Sequence, residues 1–523
     1  MYITFDSKYL VFPASAHAQQ KRIFFHMGDR LVYDFVMPLD YQEPDYLFYL
    51  NVERFRGQTM DITCGSDMDL EIRKSDTGLP ARYAYDGKYR PLAHFTAKRG
   101  WLNDPNGLVY YRGKYLMFYQ HNPVGCTWEN MHWGLAVSDD LTHWEEQEIA
   151  LYPDEDGTMF SGSAIVDHRN ITGLKRGGHD PILLFYTSAG STSEAAKNKP
   201  FTQCLAYSTD GGQTFIKYHR NPLISQIVGG NRDPKVFYHA PTDSYIMVFY
   251  LERHEFALYA SKNLLDWKPT QRLAIPGEME CPDLYPLAVD GNAENEKWVF
   301  TGASDRYLVG SFDGRCFVPE GNVKRLNFGN TSYAAQSWSA VPGGRRVRTA
   351  SATAVIPGMP FGGCMNIPQE MALRTIDGEV CLCAQPVEEI RNLYCGTQEF
   401  RKAEITREHP FVCKTDGSCL DISLQISPQG DWKLSLFGLT LEYKPENGEL
   451  VCQDKAAPVK LTNGVLELRM VIDTVYAEIF ASQGSAFMGM HYIQDSNLNR
   501  LRIEAVDAQL EQLSVSRLGQ FWL

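Results

Sequence analysis

Four stretches repeat one pattern: Trp133-Gly-Leu-Ala-Val-Ser138 leading to Trp144, Cys204-Leu-Ala-Tyr-Ser208 to Phe215, Phe256-Ala-Leu-Tyr-Ala-Ser261 to Trp267, and Tyr307-Leu-Val-Gly-Ser311 to Phe317. Each is an apolar strand, a serine, a short polar turn, and an aromatic ring six or seven residues after that serine. Successive serines stand 70, 53 and 50 residues apart. Upstream of each lies a polar motif that opens another strand pair: Asn103-Asp104-Pro105, Phe160-Ser161-Gly162, Arg232-Asp233-Pro234 and Cys281-Pro282-Asp283. A fifth opening, Tyr333-Ala-Ala-Gln-Ser-Trp338, starts a unit without the serine turn. A four-stranded module of roughly 50 residues, repeated five times, is the signature of a β-propeller. Innermost strands start near the axis of such a ring, so the five openings are expected to converge on one funnel.

Outward from this repeat, residues 1–88 carry strand signals of their own, such as Tyr46-Leu-Phe-Tyr-Leu-Asn-Val52, and form an expected N-terminal β-domain. Residues 89–392 form the propeller, and residues 393–523 alternate apolar and polar as a β-sandwich does, as in Val465-Leu-Glu-Leu-Arg-Met-Val-Ile472. Gln385-Pro386-Val-Glu-Glu-Ile390 is the expected connector, a short helical piece after a proline. The whole chain thus reads as all-β.

Composition narrows the partners. With 50 basic and 63 acidic residues the net charge is 50 − 63 = −13, which argues against nucleic acid or an anionic membrane. No run of eighteen apolar residues suggests a membrane span. The twelve cysteines are scattered without a Cys-x-x-Cys pair, which suits reduced, buried thiols better than metal ligation or a disulfide framework. Ala14-Ser-Ala-His-Ala18 resembles a signal cleavage site, but Asp6 interrupts any basic leader and Pro13 breaks the short apolar stretch. A cytoplasmic location is expected, with the oligomeric state left open.

Three acids, Asp104, Asp233 and Glu280, stand at the openings of different units beside turn-forming residues. Alone, an Asp before Pro is commonly a turn former. Converging from three units, the acids acquire a chemical meaning. Cleaving a glycosidic bond needs one ionised carboxylate and one protonated carboxyl, and crowding like charges in one funnel raises the pKa of one of them. Trp101, Trp128, Trp133, Phe160 and Trp338 lie near these acids in sequence or motif order. Aromatic faces among Asn, Gln and Arg suit the C–H faces and hydroxyls of a sugar. Trp144, Phe215, Trp267 and Phe317 close the serine turns far from the strand starts and are assigned to packing between units.

Read in order, His94-Phe-Thr-Ala-Lys-Arg-Gly-Trp-Leu-Asn-Asp104-Pro-Asn-Gly107, Phe118-Tyr-Gln-His-Asn-Pro123, Met159-Phe-Ser-Gly162, Arg232-Asp-Pro234 and Glu280-Cys-Pro-Asp283 resemble the motif series of glycoside hydrolase family 32, the family of invertases, inulinases and levanases. Lys8-Tyr-Leu-Val-Phe-Pro13 resembles the extra β-domain of some bacterial levanase-type members, and Tyr476-Ala-Glu-Ile-Phe480 and Leu518-Gly-Gln-Phe-Trp522 resemble the family's sandwich. The resemblance implies a retaining β-fructosidase. Asp104 would be the nucleophile, Glu280 the acid and base, and Asp233 the group steadying the transition state. Asn103, Gln120, Trp128, Phe160, Ser161, Arg232 and Trp338 would bind the fructosyl unit of an oligo- or polysaccharide. No metal or organic cofactor is implied, since carboxylates do the covalent and proton work. A fructosyltransferase on the same scaffold and a decayed carbohydrate-binding protein are the alternatives.

The sequence departs from the family pattern at Leu135 after Trp133-Gly134, in Arg345-Arg-Val-Arg-Thr-Ala-Ser351-Ala, where a Gly-Trp is usual, and at Pro368-Gln369-Glu370-Met371, where Pro-Arg/Cys-Glu-Leu is usual. These changes are expected in the wall of the leaving-group subsite and would point to an atypical fructoside.

Overall fold

The computed structural model describes residues 1–65 and 69–522, and strands make up most of it. At the N-terminus a four-stranded sheet runs in the spatial order Tyr2–Thr4, Thr59–Cys64, Lys21–Met27, Arg30–Met37. It faces a three-stranded sheet of Tyr46–Asn51, Tyr9–Ala14 and Arg73–Ser75. Alternation does the folding here: Ile23 and Phe25 point inward on one strand and meet Phe12, Phe35 and Phe48, all fully buried.

The repeat becomes a ring of antiparallel four-stranded meanders. Two stand as separate sheets: Thr158–Val166, Ile182–Ala189, Phe201–Ser208 and Ile216–Lys217 form one, and Arg232–His239, Ser244–Tyr250, Glu255–Ser261 and Lys268–Ala274 the other. The remaining units do not separate as the repeat suggested. They are joined in one fourteen-stranded sheet by two parallel contacts, Phe361–Met365 against Gly100–Tyr111 and Val289 beside Leu373. The first contact brings Phe361 and Gly362 beside Gly100 and Trp101, so the end of the ring is tied to its beginning.

The serine turn is a hydrogen-bonding device. Ser138 Oγ accepts the amide of Asp140, whose Oδ1 accepts the amides of Thr142 and His143. Ser261 and Asn263 repeat the arrangement, and the ring that follows donates back to the turn: Trp144 Nε1 to Leu141 O and Trp267 Nε1 to Leu264 O, each at 3.1 Å. These rings lie in the packing between units, as their spacing implied.

After Pro386 a 3₁₀ helix, Glu388–Leu393, connects to two six-stranded sheets. They face each other over a core that includes Leu424, Trp432, Leu441, Leu468 and Ile503. The sandwich docks on the ring through a buried charge cluster. His94 Nδ1 stands 3.0 Å from Asp473 and Nε2 3.1 Å from Glu478, with all three side chains fully buried. Burial alone would lower the imidazole's pKa, but its bonds to the two carboxylates push it up to about 9. Because that pKa is raised above the free value of 6.5, its stabilisation is complete below about pH 6.5 and is lost as pH rises through about 9. His94→Ala should therefore destabilise the protein by about 3–5 kcal/mol at pH 6, since it strands two buried carboxylates. Denaturant midpoints at pH 6 and pH 9.5 check this: the gap to wild type should narrow at the higher pH, and a gap indifferent to pH would contradict it.

Candidate active site

The opening strands are irregular where the motifs lie. Register shifts fall between Asn103 and Pro105, Phe160 and Gly162, Arg232 and Lys235, and Tyr333 and Gln336. A bulge turns a side chain out of the ladder, here into the funnel. Gly162 is required at its bulge, because a Cβ there would sit 1.9 Å from the carbonyl oxygen of Phe185. Asp233, Glu280 and Cys281 have φ of 66°, 54° and 37°, a strained conformation for residues with side chains. Polar bonds beneath the funnel hold that strain. Ser163 Oγ donates to Pro234 O and accepts the Val236 amide, and Lys235 Nζ donates to Ser337 O and pairs with Asp283 at 3.1 Å.

The funnel ends in a cavity of about 300 Å³. Asp104, Asp233 and Glu280 all line it, with Asn103, Gln120, Trp128, Phe160, Ser161 and Arg232. Asp104 accepts Ser161 Oγ at 2.7 Å and Asn103 Nδ2 at 2.9 Å. Burial raises its pKa, and the charge of Glu280 adds to that, against the hydrogen bonds that lower it. Glu280 takes different partners: Arg232 Nη2 and the Tyr333 hydroxyl, one on each oxygen and both at 2.5 Å. Asp233 lies deepest of the three, 3% exposed, accepting the Cys281 amide at 3.0 Å while its own amide donates to Thr187 Oγ1. The Cys281 thiol stands 3.5 Å from both Asp104 and Asp233. Trp128, 48% exposed, meets Phe160 edge to face at the mouth.

The expected crowding is present, and it falls most visibly on Asp233. Burial pushes its pKa up to about 7, reinforced by the charges of Glu280 and Asp104 and opposed by Arg232. A folded-state value above the ordinary 3.8 means that the folded protein keeps a proton the unfolded chain has lost. This group therefore costs stability progressively as pH rises from about 4 to 7. Asp233→Asn should abolish activity yet stabilise the free protein by about 1–3 kcal/mol at pH 8, with little gain at pH 4. Denaturation at the two pH values checks it, and a variant less stable than wild type at pH 8 would contradict it.

Trp338 is a correction. It is 1% exposed, donates Nε1 to Leu116 O and stacks on Trp144 at 6.0 Å, inside the packing between units. It follows the strand Tyr333–Ser337 and is not among the residues lining the cavity. Trp133 is likewise fully buried and serves from behind, donating Nε1 to Phe160 O. The departures from the family pattern also miss the cavity wall. Leu135 is core, and Ser351 lies behind Tyr333 as its strand partner. Gln369 is fully buried, bonded to Glu478 and Arg348 in the cluster that docks the sandwich. None of the three lines the cavity that holds the carboxyls.

Trp101, one of the aromatic residues the sequence placed beside the acids, lines the cavity, and so do Tyr333 and Thr353, which the motifs had not assigned to sugar binding. Tyr333 had a signal, since it opens the fifth unit where Asp104 and Asp233 open theirs. Among the described residues no group of three or more His, Cys, Asp or Glu is arranged to hold a metal ion.

Comparison with known proteins agrees with this geometry. The chain is 32% identical over 492 residues to a levanase of Bacillus subtilis, covering 84% of this chain and 72% of that protein. Its fold is similar to the crystal structure of an exo-inulinase from Aspergillus awamori, with a TM-score of 0.75 and 26% identity over 84% of this chain and all (100%) of that one. It is similar too to a β-fructofuranosidase from Schwanniomyces occidentalis complexed with fructosyl-erythritol, with a TM-score of 0.74 and 26% identity over 82% of this chain and 98% of that one. These are β-propeller and β-sandwich enzymes. Residues 94–386 match the N-terminal domain of glycosyl hydrolases family 32, and the chain belongs to that family of glycoside hydrolases.

Proposed function

We propose that this protein is a retaining exo-β-fructosidase that removes terminal β-D-fructofuranosyl units from fructans and fructo-oligosaccharides. One observation carries the reading: three carboxyls from three units of the ring meet in one cavity, each with a different set of partners. Asp104, held by two neutral donors, attacks the anomeric carbon C2. Glu280, across from it beside Arg232 and Tyr333, gives a proton to the departing glycosidic oxygen. The C2–O bond breaks as the Asp104–C2 bond forms, leaving a fructosyl-enzyme. Glu280 then takes a proton from water, whose oxygen displaces Asp104 from C2 on the face the leaving group vacated. Asp233, fixed by Cys281 and Thr187, bonds the fructosyl hydroxyls, and in its ionised form it stabilises positive charge at C2. A cavity of about 300 Å³ suits one sugar ring at its closed end, which favours attack at chain ends. The levanase and exo-inulinase among its relatives support the substrate class.

The experiment is a panel of sucrose, inulin, levan and short fructo-oligosaccharides with early products identified. Free fructose should appear from the first time point, matched by an equal amount of glucose from sucrose and by one shortened chain per cleavage of a fructan. Longer oligosaccharides as the first products would mean transfer or internal cleavage, and no released sugar would overturn the reading.

A further inference from the structure

The N-terminal sheet reaches the mouth of the catalytic cavity through one relay of hydrogen bonds. Strand Arg30–Met37 is an edge of its sheet, so Val36 has backbone groups open on one side. The side-chain amide of Asn130 fills that edge as a neighbouring strand would: Oδ1 accepts the Val36 amide at 2.9 Å and Nδ2 donates to Val36 O at 2.7 Å. The same Nδ2 lies 3.0 Å from Asn122 Oδ1, and Asn122 Nδ2 donates to the carbonyl of Thr127 at 3.0 Å. Thr127 precedes Trp128, the half-exposed ring at the cavity mouth.

The rest of this loop is gripped from the same side. Val124 is fully buried within the N-terminal domain's own core, and Cys126 packs against it. Tyr33 donates its hydroxyl to His132 Nε2 at 3.0 Å, and His132 Nδ1 donates to Asn130 O at 2.5 Å. On the same strand Asp34 accepts the amides of Glu194 and Ala195, in the loop leading to Phe201, whose ring meets Phe160 of the cavity edge to face. Asn130 has φ of 52°, a conformation that Asn tolerates better than most residues and that this double bond to Val36 retains.

We infer that strand Arg30–Met37 is a specificity element, and that Asn130 is a positioning residue that holds Trp128 as a platform for the sugar unit next to the fructosyl group being cleaved. This rests on the proposed fructosidase activity and deepens it: the N-terminal domain sets how well the enzyme grips the rest of a fructan chain, while the carboxyls below act on the terminal unit.

A double-mutant cycle tests the inference, with Asn130→Ala, Trp128→Ala and the pair assayed on sucrose and on a fructo-oligosaccharide. Because the glucose of sucrose takes the same place as the next unit of an oligosaccharide, Asn130→Ala should raise KM for both substrates about tenfold with kcat within about twofold, and Trp128→Ala, which removes the platform itself, should raise KM at least as much. The pair should be no worse than Trp128→Ala alone, because both remove the same contact. A purely structural role for Asn130 would lower kcat on both substrates through loss of active protein and leave KM unmoved. That result, or additive effects in the pair, would overturn the inference. Absence of fructoside turnover in the wild-type protein would instead refute the proposed activity, so the two failures are distinguishable.

Discussion

Asp104→Asn is expected to leave a folded protein whose turnover has dropped by about 10⁴-fold or more. The change keeps the volume and polarity of the side chain. Asn103 can still donate to its oxygen, and the Ser161 hydroxyl, now donor to Oδ2, can rotate to accept from the new amide. What disappears is the negatively charged carboxylate oxygen that forms the bond to C2. Because burial makes the ionised Asp104 costly, the variant should be as stable as wild type near neutral pH, or slightly more so. Thermal unfolding and initial rates on sucrose check both halves. A residual rate above about one per cent of wild type would rule out Asp104 as the nucleophile.

Glu280→Gln should separate substrates by their leaving groups. A natural fructoside departs as an alkoxide unless it is protonated, so its cleavage should fall by about 10²–10⁴-fold. A fructoside with an activated aryl leaving group needs no proton, and formation of the fructosyl-enzyme from it should be nearly unchanged. Its second step lacks the base that activates water, so a rapid burst of aryl product should precede slow turnover. The substituted side chain also places an amide N–H₂ where one oxygen of Glu280 accepted a bond from Arg232 or Tyr333. That mismatch affects both substrates alike and leaves their ratio intact. An equal fall for natural and activated fructosides would remove Glu280 from the role of acid.

Much of the site was legible because its chemistry is tied to punctuation. Asp104-Pro105, Asp233-Pro234 and Glu280-Cys281-Pro282 mark strand openings, and the structure bends the backbone at those residues, by bulges at the first two and by left-handed φ at Asp233, Glu280 and Cys281. The serine turns were equally readable, since their bonds are local. Trp338 misled because a motif fixes where a strand begins and not how far along it a ring sits. Gln369 misled differently: the motif it departs from belongs to a buried cluster with Arg348, Glu478 and His94, whose members lie far apart in the sequence. The separation of the units was blurred at the ring's closure, where Phe361–Met365 adds a parallel contact that no periodicity announces. Nor could spacing reveal the Asn130–Val36 bond, which spans 94 residues between two domains. Strand-like runs such as Tyr46–Val52 did show that residues 1–88 would form strands, but an edge strand's partner is decided by tertiary packing.

Retention of configuration requires two displacements at one carbon, first by Asp104 and then by water. The most direct test is the anomeric form of fructose at the first instant of hydrolysis, followed by NMR in D₂O before mutarotation. Two inversions at C2 retain configuration, so β-fructofuranose should appear first and the other forms later. If α-fructofuranose appears first, water has attacked C2 directly and no fructosyl bond to Asp104 was ever made.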